Sequence, residues 1–139
     1  MLPSGLPEQI GDHEDLARFL TQGSQYTQTV VKPSAFLPWP KDRETSVFRH
    51  GREPRQRLWE IGAEAAGSRA LHGAAIVRAG QVRAAQLSVE SEEPPARHAA
   101  IRGWPWLDTD ADLQKARQKE LAAMVASAAG PPVLRDSPS

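Results

Sequence analysis

Residues 109–131 read TDADLQKARQKELAAMVASAAGP, and this stretch decides the fold class. Thr109 followed by Asp112 makes a capping-box-like start, with Asp where Glu or Gln is usual. Good helix formers then run unbroken over 111–129, and Gly130 with Pro131 behind it supplies the stop. Leu113, Leu121, Met124 and Ala128 fall on one side at helical spacing and are the expected inner face. Arg117 lies inside that stripe, so its stem is expected along apolar surface with Glu120 taking its charge.

Working outward, the residues before this helix supply strands and two further helical pieces. Residues 86–90 (QLSVE) and 70–77 (ALHGAAIV) read as strands. Between them Gly80 permits a hairpin turn or a short helix over 79–85; Val82, Ala85 and Gln86 suit helical spacing better. Pro54 fits a first helical turn, Leu58, Ile61 and Ala65 share a stripe, and Gly67 ends it. Residues 45–50 (TSVFRH) and the β-branched 26–31 (YTQTVV) read as extended. Pro33, Pro38 and Pro40 make 32–40 irregular around Phe36 and Trp39. Asp12 is placed to cap a short helix, with Asp15 three residues on and Leu16, Ala17, Phe19 and Leu20 on its apolar side.

Strand segments interleaved with separated helices predict an α+β domain: a short mixed or antiparallel sheet with two to four helices, the longest C-terminal. The expected folding unit is 12–129. Residues 1–11 and 130–139 are rich in Pro and Gly, carry few anchors and read as flexible tails.

The bulk numbers narrow the function classes. The chain has 139 residues, 40% hydrophobic and 24% charged, with 17 basic and 17 acidic side chains. Formal net charge is zero, so no excess charge predicts a nucleic-acid or membrane-surface partner. No run approaches the roughly 18 apolar residues of a membrane span. The absence of cysteine removes disulfides, thiol catalysis and Cys-type metal sites. The opening MLPSGLPEQIGDHED lacks a basic n-region and an apolar stretch, which predicts a cytoplasmic protein. Of the basic residues 13 are Arg and 4 are Lys, a bias that suits either a GC-rich genome or guanidinium chemistry.

Two segments concentrate binding chemistry. Residues 41–57 (KDRETSVFRHGREPRQR) hold six Lys/Arg against three acids, and Arg49, His50, Arg52, Arg55 and Arg57 cluster on a strand-to-helix connection. Such a connection can present guanidiniums and backbone N–H groups to an anion, or be a solvated face paired with nearby acids. Acidic stretches at 90–93 and 108–112 segregate charge along the chain, so self-association is open too. Residues 94–106 (PPARHAAIRGWPW) place His98, Arg102, Trp104 and Trp106 close together, as a stacking pocket or as a loop locked over the core.

Of the four histidines, His13, His50, His72 and His98, none shows HxxxH or HxH spacing, so no metal is predicted. No GxSxG elbow, P-loop or dinucleotide fingerprint occurs, and no cofactor is predicted.

The pieces Asp15-Leu16 with Arg18, Pro33-Ser34-Ala35-Phe36, Ser46-Val47, Leu87 with Val89, and His98-Ala99 with Ile101 resemble a scattered set of small uncharacterised bacterial proteins with no known activity. That resemblance implies kinship and a role beside a larger partner. The Arg and Ser-x-Phe pieces are also distantly similar to NAD-using transferases, without a carboxylate at diagnostic spacing. The leading expectation is a non-enzymatic module binding a larger protein through an Arg/Trp face, homo-oligomerisation being compatible with it. Nucleic-acid binding through 49–57 is the first alternative. The second is an enzyme on a nucleotide or phosphate-bearing substrate, with His98 as general acid or base meeting Arg18 and Arg49.

Overall fold

The computed structural model describes residues 2–50 and 53–135. Six strands form one antiparallel sheet: β1 (Asp15–Leu20), β2 (Thr45–Arg49), β3 (Gly73–Arg78), β4 (Ser88–Ser91), β5 (His98–Arg102) and β6 (Val133–Leu134). Their spatial order is β4-β5-β2-β1-β3-β6. The described residues also form three α-helices: α1 (Arg55–Ala66), α2 (Ala79–Ala84) and α3 (Ala111–Ala129). The α+β expectation with a long C-terminal helix is met, and the sheet is wholly antiparallel. None of the described helices is long and apolar enough to cross a membrane.

The first element departs from expectation. Residues 15–20 form a strand rather than the helix that Asp12 was to cap. β1 lies between β2 and β3 and is covered on both faces, so apolar residues occur at both parities. Leu16 and Leu20 face one core while Ala17 and Phe19 face the other. Such a doubly buried strand and a short amphipathic helix give the same local pattern. Asp12 instead pairs with Arg83 at 2.5 Å.

The larger core lies beneath α3, α2 and the single turn Pro33–Ala35. Leu16, Leu20, Val47, Val77, Val89 and Ile101 of the sheet meet Phe36, Val82, Ala122 and Val125 there. The smaller core, on the opposite face, joins Phe19, Phe48 and Ala74 to Leu58, Ile61 and Ala66 of α1.

Helix α3 spans the expected residues with its inner face rotated: Leu121 and Ala128 pack against the larger core as expected, Leu113 and Met124 do not. Gln118, Ala122, Val125 and Ala126 are buried, whereas Leu113 and Met124 are 42% and 52% exposed. Alanines let the helix approach the sheet and the Pro33–Ala35 turn closely, and Gln118 Nε2 donates to the Pro105 carbonyl at 2.8 Å. Arg117 is exposed. The N-cap is Asp110, which accepts from Leu113 N at 2.9 Å, in place of Thr109.

Helix α1 begins after Pro54 and ends at Gly67, and α2 takes the helical option around Gly80. Residues 26–31 close on themselves through one Tyr26–Val31 bridge and pair with no strand. Residues 98–102, read as part of a loop, form β5. The segments flanking 12–129 also make contacts: Ile10 is 3% exposed and Val133–Leu134 pair with β3.

Candidate functional site

Sheet register separates the sequence-predicted residues. Phe48 pairs with His98 and Arg49 with Leu16, and successive side chains on a strand point to opposite faces. Arg49 therefore lies on the Leu16 side and His98 on the Phe48 side. Arg18 shares the Leu16 face, donating from Nε to the Ala35 carbonyl at 2.7 Å. Burial, then the Arg69 charge, brings Arg18 down to about 10. The expected meeting of Arg18, Arg49 and His98 does not occur.

Arg49 is 1% exposed. Its Nε and Nη2 reach Glu14 at 2.8 and 2.9 Å, and Nη1 donates to the Pro7 carbonyl at 2.6 Å. It ties the N-terminal segment down and offers nothing outward. His50 is half-buried, and burial lowers its pKa against the opposing pull of Asp15 and Glu53. Its Nδ1 is buried with no hydrogen-bond partner among the described residues. Arg52 lies outside the described residues. Arg55 and Arg57 are exposed on α1, where Arg57 meets Glu60 at 3.2 Å, a pairing worth little in water.

The tryptophans divide. Trp104 is 4% exposed, belongs to the larger core and donates to the Ile101 carbonyl at 3.1 Å. Trp106 is partly buried, and Arg43 stacks over it at 5.0 Å from the ring centroid. Trp39 is 59% exposed. It sits in the turn that carries Arg43, whose N–H donates to the Trp39 carbonyl at 2.8 Å. The Arg/Trp stacking seen is thus Arg43 on Trp106, reached from the Trp39 turn, and does not involve Arg49, Arg102 or Trp104.

His98 and Arg102 take part in a second cluster. The β2–β5 register places Ser46 diagonally from His98 on one face. Ser46 Oγ lies 2.5 Å from His98 Nε2, and His98 Nδ1 lies 2.9 Å from the Glu92 carbonyl and 3.6 Å from its carboxylate. Phe48 holds the imidazole from the side, with ring centroids 5.2 Å apart. Arg102 pairs with Glu44 at 2.7 Å and also with Glu90 and Glu92. Hydrogen bonding to Glu44, helped by the charges of Glu44 and Glu92, raises the Arg102 pKa. Burial first, then hydrogen bonding and repulsion from Glu44, push the Glu92 carboxyl up against the pull of His98 and Arg102.

Among the described residues no strand β4 or β5 side chain joins the apolar cluster under α1. This half of the sheet face is therefore polar. Ser46 and Glu44 are not singled out as site residues by the sequence, and Glu90 and Glu92 stand there only within the acidic stretch 90–93. The usable signal was the alternation of Ser46 with Phe48 and of His98 with Arg102. No group of three or more His, Asp or Glu able to hold a metal occurs among the described residues.

No protein-family model matches this chain, and comparison with curated proteins and with solved structures found no match.

Proposed function

We propose that this domain is an interaction module that docks a larger protein through the Trp39 turn. The observation that carries the reading is the indole of Trp39, 59% exposed on the tight turn whose Arg43 stacks over Trp106. Covering such a ring removes enough apolar area to contribute on the order of 3 kcal/mol. Trp and Arg are the residue types that dominate binding energy at protein interfaces. Leu37, 37% exposed two residues before Trp39, adds apolar area to the same edge.

The remaining arginines favour a protein partner over nucleic acid. Arg49, Arg83, Arg97 and Arg102 are each matched to a carboxylate, and a formal net charge of zero offers a phosphate backbone no excess of positive charge.

The test is affinity capture from the native host with the wild-type chain, Trp39→Ala and Arg43→Glu, read by quantitative mass spectrometry. Both positions are exposed, so the variants should keep the wild-type melting temperature. A protein held by the wild type and depleted at least tenfold by Trp39→Ala supports the reading. Equal capture by all three chains rejects it.

A further inference from the structure

We propose that Ser46 is an activated nucleophile for acyl transfer, with His98 as its general base, on the half of the sheet that α1 leaves uncovered. A serine hydroxyl is a weak nucleophile until a base within hydrogen-bond reach takes its proton. His98 Nε2 stands 2.5 Å from Ser46 Oγ. The other ring nitrogen determines which way that bond runs. Nδ1 lies 2.9 Å from the Glu92 backbone carbonyl, which can only accept. The proton of neutral His98 therefore sits on Nδ1, and the Nε2 lone pair faces the hydroxyl, the tautomer that proton abstraction requires.

The surroundings hold this arrangement in place. His98 is 9% exposed and packed against Phe48, which holds its ring in place, whereas Ser46 is half-buried. The Glu92 carboxylate, 3.6 Å from Nδ1, is placed to offset the positive charge that His98 gains.

The charge around the pair selects the substrate. Among the described residues Arg102 is the arginine that Glu44, Glu90 and Glu92 share. The excess of negative charge disfavours phosphates and carboxylates and admits uncharged or cationic esters. In the reaction Ser46 Oγ attacks the acyl carbon, forming a new C–O bond as the ester C–O bond breaks. The hydroxyl proton passes to His98 Nε2 and on to the departing alkoxide. Water then attacks the acyl-serine, His98 takes its proton, and the acid leaves as Ser46 recovers the proton.

Diisopropyl fluorophosphate, an uncharged serine reagent, tests the assignment on the full chain. Attack by Ser46 forms an O–P bond and expels fluoride, and the adduct is mapped by peptide mass spectrometry. The expected result is a single adduct on Ser46, absent from Ser46→Ala and formed about 100-fold more slowly in His98→Gln. Labelling of the wild type should also collapse in concentrated guanidinium chloride, a comparison that stands if His98→Gln does not fold. Labelling of Ser46 no faster in native than in denatured protein overturns the proposal, as does no adduct at all. With p-nitrophenyl esters, an acetate should turn over faster than a succinate monoester; the reverse order overturns the substrate class.

Discussion

Arg49 and Glu14 form a two-pronged ion pair on the interior side of a central strand, the guanidinium 1% exposed and the carboxylate 26%. The pair joins β2 to the segment preceding β1, and the Pro7 carbonyl takes a further guanidinium N–H. Removing one partner of a buried pair leaves the other charge without compensation, which costs about 3–5 kcal/mol, whereas removing both costs less. Glu14→Ala should therefore destabilise by about 3 kcal/mol, and Glu14→Ala combined with Arg49→Met by less than Glu14→Ala alone. Urea unfolding of the wild type, Glu14→Ala, Arg49→Met and the double variant measures this. Costs that simply add would show that the pair is not coupled.

Gly62 in α1 packs against Phe19. A Cβ placed there would come within 2.7 Å of the Phe19 ring and 2.9 Å of Leu71. On an open helix surface Gly→Ala stabilises by about 1 kcal/mol. Here overpacking outweighs that gain, and Gly62→Ala should lose about 1–2 kcal/mol. Thermal unfolding decides the sign, with Ala63→Gly at the exposed neighbouring position as the ordinary propensity control.

The cap of α3 separates two adjacent residues. Asp110 accepts the Leu113 N–H, so Asp110→Ala should cost about 1 kcal/mol. Thr109→Ala should change stability by less than about 0.5 kcal/mol, as for an ordinary surface position. A larger loss at Thr109 than at Asp110 in chemical denaturation would contradict the capping geometry.

Glu92 and Glu93 should respond to pH in opposite ways. Burial pushes Glu93 up, but two donations from Ser4, the Arg97 N–H and the Arg49 charge together pull it below the usual carboxylate range. A carboxyl depressed on folding contributes stability above its unfolded value, and that contribution is lost as pH falls through the folded value. Glu93→Gln should therefore lower the melting temperature near about pH 7 and match the wild type near about pH 3. Glu92, raised chiefly by burial, carries a charge that opposes folding above its folded value. Glu92→Gln should raise the melting temperature near about pH 7. Melting curves of both variants across pH check the two signs independently.

The candidate site was legible only in fragments. His98 and Arg102 stood out through their aromatic neighbourhood, although the indole nearest them in sequence, Trp104, is core. Strand spacing put Ser46 on the face of Phe48, but its importance, like that of Glu44, arises from strand pairing with residues about 50 positions away. Arg49 looked like a surface cation because composition cannot show that Glu14, 35 residues earlier, waits inside to receive it.

What the sequence by itself determined is the set of elements whose causes are local. Pro54 and Gly67 bound α1, Gly130 and Pro131 close α3, and the β-branched and aromatic run at 45–49 makes a strand. Caps, breakers and propensities act within a few residues and survive any tertiary arrangement. Only the tertiary structure decided which face each element shows. Leu16, Ala17, Phe19 and Leu20 satisfy a helix and a doubly covered strand alike until β2 and β3 flank them. The small Ala122 and Ala126, rather than Leu113 and Met124, became the inner side of α3 because close approach to the sheet favours small side chains there.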